Sequence, residues 1–238
     1  MEAKLQLVIL AAGHGTRMYP FSDAIPKSLM LVGGKPVIRW IVDRWAPHVD
    51  DIIICINDDD FDSFNHEFRD VRKIDFSCND KPLGTAGEIA NAKDFLDNEG
   101  FILHYGDIIT NIDVGNFKYY HTMRYLDDYC KHEDKYMGTL VLIKERLENS
   151  IVKVYTNTIY SFEEKPTSDN YGWGAIAAFA PRIFEYIEYG KDFGKDIFPK
   201  IISDGKTLGA YLSDSKWYNT GDVKNWEIAD KAAREGRI

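Results

Sequence analysis

A doubly wound, mostly parallel α/β sheet is the fold this sequence predicts, and three observations carry the prediction. Short apolar runs alternate with helical patterns through the first half of the chain, the mark of β-α-β units. The first of these runs passes straight into a glycine-rich loop, as at the carboxyl end of a strand in such a sheet. The composition, 45% hydrophobic and 28% charged over 238 residues, suits one sizeable domain and excludes disordered, collagenous and coiled-coil chains.

The elements follow in order. Leu5–Leu10 reads as a buried strand, and after a loop rich in Gly and Pro, Pro36 opens a helix through Trp45 with apolar residues at Val37, Ile38, Ile41 and Val42. Asp51–Ile56 is a second strand, Phe61–Phe68 a helix and Ile74–Ser77 a third strand. Thr85–Leu96 reads as a helix and Gly100–His104 as a fourth strand, ending at Tyr105-Gly106-Asp107. From 113 onward the pattern is less regular. The tyrosine-rich stretch Phe117–Lys135 reads as a helix, followed by strands over Met137–Ile143, Ile151–Tyr155, Thr158–Glu163 and Trp173–Phe179. A helical pair (Pro181–Tyr189 and Phe193–Ser203), strands near Leu208–Leu212 and Lys216–Asn219, and a helix from Val223 complete the reading. Residues 1–238 are therefore expected to form a single domain, its mixed, ligand-facing part (about 113–238) inserted on a Rossmann-like half (about 1–112).

Charge excludes several functions. The balance of 29 basic and 38 acidic residues gives −9, which argues against a nucleic-acid partner or an anionic membrane. Phosphate ligands stay open, because a local basic loop can focus a positive field on an acidic body. Cys55, Cys78 and Cys130 lie far apart with no C-x-x-C, so neither a disulfide framework nor a zinc site is indicated. With no apolar run long enough for a signal core or a bilayer span, a cytoplasmic protein is expected.

The chemistry gathers in the loop Leu10-Ala11-Ala12-Gly13-His14-Gly15-Thr16-Arg17. Glycines at a strand end let backbone N–H groups turn inward and line an anion-binding nest. Arg17 sets a guanidinium beside it, and Pro26-Lys27-Ser28 adds a lysine held by a rigid proline. The missing Lys-[Ser/Thr] excludes a P-loop, and the third glycine of a dinucleotide fingerprint is absent. Taken alone, the loop reads equally well as a glycine turn with two solvated cations.

Its wider context is more specific. Gly13-x-Gly15-Thr16-Arg17-x-x-Pro20, then Pro26-Lys27-x-Leu29 and Gly33-Gly34-Lys35-Pro36, closely resembles the signature of the sugar-1-phosphate nucleotidyltransferases. Pro82-Leu83-Gly84-Thr85-Ala86-Gly87, Tyr105-Gly106-Asp107, Phe162-Glu163-Glu164-Lys165-Pro166 and Trp217-Tyr218-Asn219-Thr220-Gly221 keep the family's later motifs in order. The resemblance implies a nucleotide-diphospho-sugar transferase fold without the additional C-terminal β-helix domain of some relatives. It also implies a reaction: NTP and sugar 1-phosphate give NDP-sugar, a precursor of polysaccharides, and pyrophosphate, with Mg²⁺ as cofactor. Its site residues carry over by motif. Leu10, Ala11, Ala12, Gly13, Gly15, Thr16, Asn79, Gly84 and Thr85 would bind nucleotide, and Arg17 would hold the triphosphate. Lys27 would bridge the α-phosphate and the incoming phosphate, Lys165 would hold the sugar phosphate, and Gly106, Glu164 and Gly174 would meet the sugar. Asp107 and Asn219 would ligate the metal.

Three departures from the family bear on the acceptor. Asn219 stands where the usual metal-binding aspartate is expected, Asn149-Ser150 replaces a Tyr-Gly pair, and Trp173-Gly174-Ala175 replaces an Asn-Ala-Gly sugar loop. A non-sugar phosphate acceptor such as phosphocholine, or a weakly active regulatory relative, therefore stays open. At the base, the Asn79 amide can both donate and accept, which leans towards a pyrimidine. Other polar groups read as structural. Asp222 could substitute for Asn219 at the metal but is expected first to cap the terminal helix, His14 to be solvated and His104 to sit in the core. The tyrosines from Tyr119 to Tyr136 are expected to pack or to serve a homo-oligomer contact.

Overall fold

In the computed structural model, which describes residues 5–71, 73–97, 99–146, 150–164 and 166–238, successive residues of the first strand enter different cores. Leu7 and Ile9 join Ile38, Ile41 and Trp45 on one face, while Val8 and Leu10 join Ala86 and Ile89 on the other. A strand buried on both faces reads as an unbroken apolar run, which is what Leu7-Val8-Ile9-Leu10 is.

In chain order the strands are β1 (Gln6–Leu10), β2 (Leu31–Val32), β3 (Lys35–Pro36), β4 (Ile52–Asn57), β5 (Ile74–Asn79), β6 (Phe101–Tyr105), β7 (Ile108–Thr110), β8 (Tyr136–Arg146), β9 (Ile151–Tyr155), β10 (Thr158–Glu163), β11 (Thr167–Phe179), β12 (Thr207–Ser213) and β13 (Trp217–Asn219). The helices are α1 (Val37–Trp45), α2 (Phe61–Phe68), α3 (Thr85–Asn91), α4 (Val114–Lys131), α5 (Phe198–Ser203) and α6 (Val223–Arg234). Among the described residues the central sheet has the order β12-β8-β11-β6-β1-β4-β5. β1 pairs in parallel with both β4 and β6, and β4 with β5. β11 runs antiparallel to β6 and β8, so it alone reverses direction in a mostly parallel sheet. Residues of α1, α2, α4 and α6 cover one face and residues of α3 and α5 the other, as a doubly wound sheet requires. No helix among the described residues is long and apolar enough to cross a membrane.

Some expected elements are shorter. The helix begun at Thr85 ends at Asn91 and tightens into a 3₁₀ turn at Lys93–Phe95, where the Gln6 side chain takes the Phe95 carbonyl at 3.0 Å. Pro181–Tyr189 forms only a 3₁₀ turn over Pro181–Glu185. Phe193–Ser203 divides into a π turn (Phe193–Ile197) and α5, because Pro199 has no N–H to continue one ladder. Two short pairings add to the central sheet, and their strands β2, β3 and β7 are too short for periodicity to reveal. In β2–β3, Gly33 and Gly34 both take positive φ, which a tight two-residue turn demands. The other pairs β7 with β13, residues far apart in sequence.

The tyrosines of this stretch differ in burial. Tyr120 meets Tyr211 edge-on, and Tyr136 is buried with its hydroxyl 2.9 Å from His121 Nδ1. Tyr119 and Tyr129 face solvent.

Candidate active site

The strand order reverses between β1 and β6, and chain leaving neighbouring strands there opens a crevice at their carboxyl ends. Leu10 and Tyr105 are partners across that ladder, so the glycine loop and the Gly106-Asp107 pair emerge side by side. The loop is tied down at both strands: Ala11 N–H donates to the Cys55 carbonyl at 2.8 Å, and Gly106 N–H to the Leu10 carbonyl at 2.9 Å. Leu10, Ala11 and Ala12 are buried, and exposed Gly13 begins the open stretch. Gly15 adopts φ 62°, which turns the chain into a 3₁₀ turn holding Thr16 and Arg17, with buried Met18 as its anchor. Pro26 caps a further 3₁₀ turn, Lys27–Leu29, which sets Lys27 against the glycine loop.

Four predicted residues converge. Lys27 Nζ lies 2.7 Å from Asp107 Oδ2, with both side chains largely shielded from water. The antiparallel register of β7 on β13 sets Asn219 opposite Ile108, one residue from Asp107. Buried Thr220 fixes this junction, its N–H and hydroxyl both donating to the Asp107 carbonyl at 2.7 and 3.0 Å. Gly221 then marks the centre. A Cβ there would stand 2.8 Å from Asn219 Oδ1, 3.0 Å from Asp107 Oδ2 and 3.2 Å from Arg17 Nη2. One carboxylate oxygen and one amide oxygen thus border a cradle that a methyl group would fill. Asn219 Oδ1 already accepts the Gly221 N–H at 2.7 Å and Asp107 Oδ2 the Lys27 ammonium, yet both are hard oxygens with further lone pairs of the kind Mg²⁺ takes, so the residues fit the ion that the resemblance implies. Asp222 serves the neighbouring helix. It caps α6 by accepting the Asn225 N–H at 2.9 Å, and although burial raises its pKa, the bonds from Asn225 and the charge of Arg17 bring it below the usual carboxylate range.

At the second loop, Gly84 has φ 75° and lies so close to the Lys191 carbonyl that a Cβ would come within 2.5 Å of its oxygen. The Thr85 hydroxyl is held between Asp192 Oδ2 (3.0 Å) and the Phe193 N–H (2.9 Å), so this loop is clamped to the second half of the chain. Asn79 differs from the expectation of an amide free to donate and accept. It is 7% exposed, and its Nδ2 donates to Glu88 Oε2 at 2.7 Å and to the Ile56 carbonyl at 3.2 Å, while Oδ1 is buried without a partner. Burial raises the pKa of Glu88 to about 7. Glu88 is a polar group that sequence reasoning missed, since one glutamate on a helix carries no signal of its partner. Asn79, Lys27, Gly13, His14 and Asp58 are among the residues lining a cavity of about 410 Å³ beside the loop.

The residues expected to meet the acceptor lie on β11 and beside the β9–β10 hairpin. A bulge between Trp173 and Ala177 interrupts β11 and holds Ala175 at φ 57°. There the Gly174 carbonyl accepts from Trp217 Nε1 at 3.0 Å, while the Trp173 ring packs inward between Tyr105 and Phe198. Exposed Glu164 accepts a hydrogen bond from the Ser150 hydroxyl. Lys165 and Asn149 lie outside the described residues. Gly106, expected to meet the sugar, faces the glycine loop, for a side chain on it would strike the Leu10 carbonyl and the Ser28 hydroxyl. His104 is buried, its pKa pushed down to about 4 by that burial, and His14 is exposed.

A family model described as "Nucleotidyl transferase" matches residues 6–235. The UTP–glucose-1-phosphate uridylyltransferase of Synechocystis is 26% identical over 93% of this chain, and the mannose-1-phosphate guanyltransferase of Schizosaccharomyces pombe is 28% identical over 93%. The matched part spans 61% and 62% of these two relatives. Among solved structures, apo UDP-glucose pyrophosphorylase superposes with a TM-score of 0.67 at 18% identity, covering 99% of this chain and 100% of that one, which shows the shared fold.

Proposed function

The chain belongs to the nucleotidyl transferase family, and from that premise we propose that it transfers a nucleotidyl group from a nucleoside triphosphate to a sugar 1-phosphate. The observation that carries this reading is the meeting of Arg17, Lys27, Asp107 and Asn219 at the crevice where β1 and β6 part. Two polyanions must be brought together there, so catalysis is mainly positioning and charge neutralisation. An oxygen of the sugar phosphate attacks the α-phosphorus, the bond from that phosphorus to the β-phosphate bridging oxygen breaks, and pyrophosphate leaves. The glycine loop offers backbone N–H groups to the triphosphate, Arg17 takes the departing pyrophosphate, and Lys27 stabilises charge between the joining phosphates. By the family's motif, Lys165 and Glu164 would meet the acceptor. Asp107 and Asn219 would hold Mg²⁺, which when bound would neutralise phosphate charge. A reducing cytoplasm suits the free thiols of Cys55, Cys78 and Cys130.

The relatives bear on base and acceptor only as classes. Both named relatives act on hexose 1-phosphates, one with a uridylyl and one with a guanylyl donor, which supports the acceptor and leaves the base to experiment. A pyrophosphate-release screen of the common NTPs against sugar 1-phosphates and small phosphate esters tests the reading. Release only with sugar 1-phosphates supports it. Release with phosphocholine and no sugar phosphate overturns the acceptor, and tight NDP-sugar binding without any release turns the chain into a regulator.

A further inference from the structure

The ion pair at the centre of the site has a consequence beyond charge neutralisation. Lys27 Nζ is 2.7 Å from Asp107 Oδ2, the same oxygen that faces the Gly221 cradle beside Asn219 Oδ1. The ammonium also lies under the glycine loop, 3.4 Å from where a Cβ of Gly13 would be. It therefore stands between the carboxylate and the nest that would receive phosphates. We infer that Lys27 and a divalent cation exclude one another at Asp107, so that the free chain keeps the carboxylate paired with lysine and gives it to metal only as Lys27 moves to the phosphates. The inference rests on the proposed reading of Asp107 as a metal ligand. Its physical basis is the chemistry of the two cations. A carboxylate already held by a shielded ammonium at 2.7 Å offers poor binding to Mg²⁺, which gives up water reluctantly. An incoming triphosphate supplies a better anion for Lys27, and the doubly charged metal a better cation for Asp107. The exchange needs only rotation about the flexible lysine stem, since Pro26 and the 3₁₀ turn keep the backbone fixed. Metal and nucleotide are thereby coupled through one side chain, each binding better when the other is present.

The test is a titration of the nucleotide-free full chain with Mn²⁺, following free Mn²⁺ by its electron-paramagnetic-resonance signal. Wild type should bind weakly. Lys27→Met, which keeps the apolar stem and removes the charge, should tighten Mn²⁺ binding at least tenfold, and Lys27→Met/Asp107→Asn should lose the gain. Lys27→Arg, which retains a cation, should behave as wild type. Thermal melting confirms that each variant is folded, with Lys27→Gln replacing Lys27→Met if the latter is not. Equal affinity in wild type and Lys27→Met, including no measurable binding in either, overturns the exclusion. If Asp107→Asn nonetheless abolishes the weak wild-type binding, the metal reading survives that result. If binding is the same with and without Asp107, the metal reading falls as well, and the exclusion with it.

Discussion

Gly221→Ala separates the site from the fold with a single methyl group. The added Cβ would lie 2.8 Å from Asn219 Oδ1, 3.0 Å from Asp107 Oδ2 and 3.2 Å from Arg17 Nη2. Carbon–oxygen contacts ordinarily begin near 3.3 Å, so the two oxygens must retreat by a few tenths of an ångström each. All three are side-chain ends, the retreat of Asn219 Oδ1 stretching only the bond it accepts from the Gly221 N–H at 2.7 Å, and Gly221 has no positive φ that glycine alone could adopt. The fold should therefore lose little: a change within about 1 kcal/mol, or roughly 2–4 °C in Tm for a chain of this size. Catalysis should lose much more. A displacement of 1 Å in a positioned group costs on the order of 10²-fold, so a smaller shift shared by the two oxygens should lower kcat by about 10- to 100-fold. Pyrophosphate release and melting on the same preparations measure both quantities. Activity within twofold of wild type would refute the placement of the site at Gly221, and a large loss of Tm would show that the cradle is a packing feature.

Three further substitutions test other parts of the account. Lys27→Ala should lower kcat by roughly 10²–10³-fold in steady-state assays, the scale set by removing one preorganised electrostatic donor. Gly84→Ala combines φ 75° with a Cβ 2.5 Å from the Lys191 oxygen, so it should cost more than about 2 kcal/mol and lower Tm by about 5 °C or more. For Glu88, burial raises the pKa from 4.5 to about 7, so the folded chain binds the extra proton and stability falls as pH rises through that window. The loss is roughly 3 kcal/mol and is complete above pH 7. Glu88→Gln has no such proton to release. Its Tm should exceed that of wild type by several degrees at pH 8 and match it near pH 4.5, and equal melting at pH 8 would contradict this reading.

Local periodicity was enough to place β1, α1, β4, α2, β6 and α6 to within a few residues, because each has a strong apolar pattern or a clear cap. Asp222 capping α6 and His104 in the core were legible for the same reason, since both depend on nearby residues. What the sequence could not show depends on contacts distant along the chain. The motif resemblance put Asp107 and Asn219 at one site, but the register of β7 on β13 that sets Asn219 beside Asp107 has no local signal, since β7 is three residues long. Glu88 reaches Asn79 from another element, so the amide that looked free to read a base has its donors already taken. Trp173 stands at a position read as part of the sugar loop and packs between Tyr105 and Phe198, a choice made by neighbours on β6 and α5.

The central claim is that this site joins two phosphates, and phosphorus NMR of one reaction mixture tests it most directly. Wild-type protein, Mg²⁺, an NTP found active in the acceptor screen and its sugar 1-phosphate should yield diphosphodiester and pyrophosphate in equal amounts. Added pyrophosphate should drive the signals back, and Lys27→Ala should leave the substrates essentially unchanged over the same time. Inorganic phosphate or pyrophosphate formed without a matching diphosphodiester would mean that the site hydrolyses nucleotide, and would contradict the account.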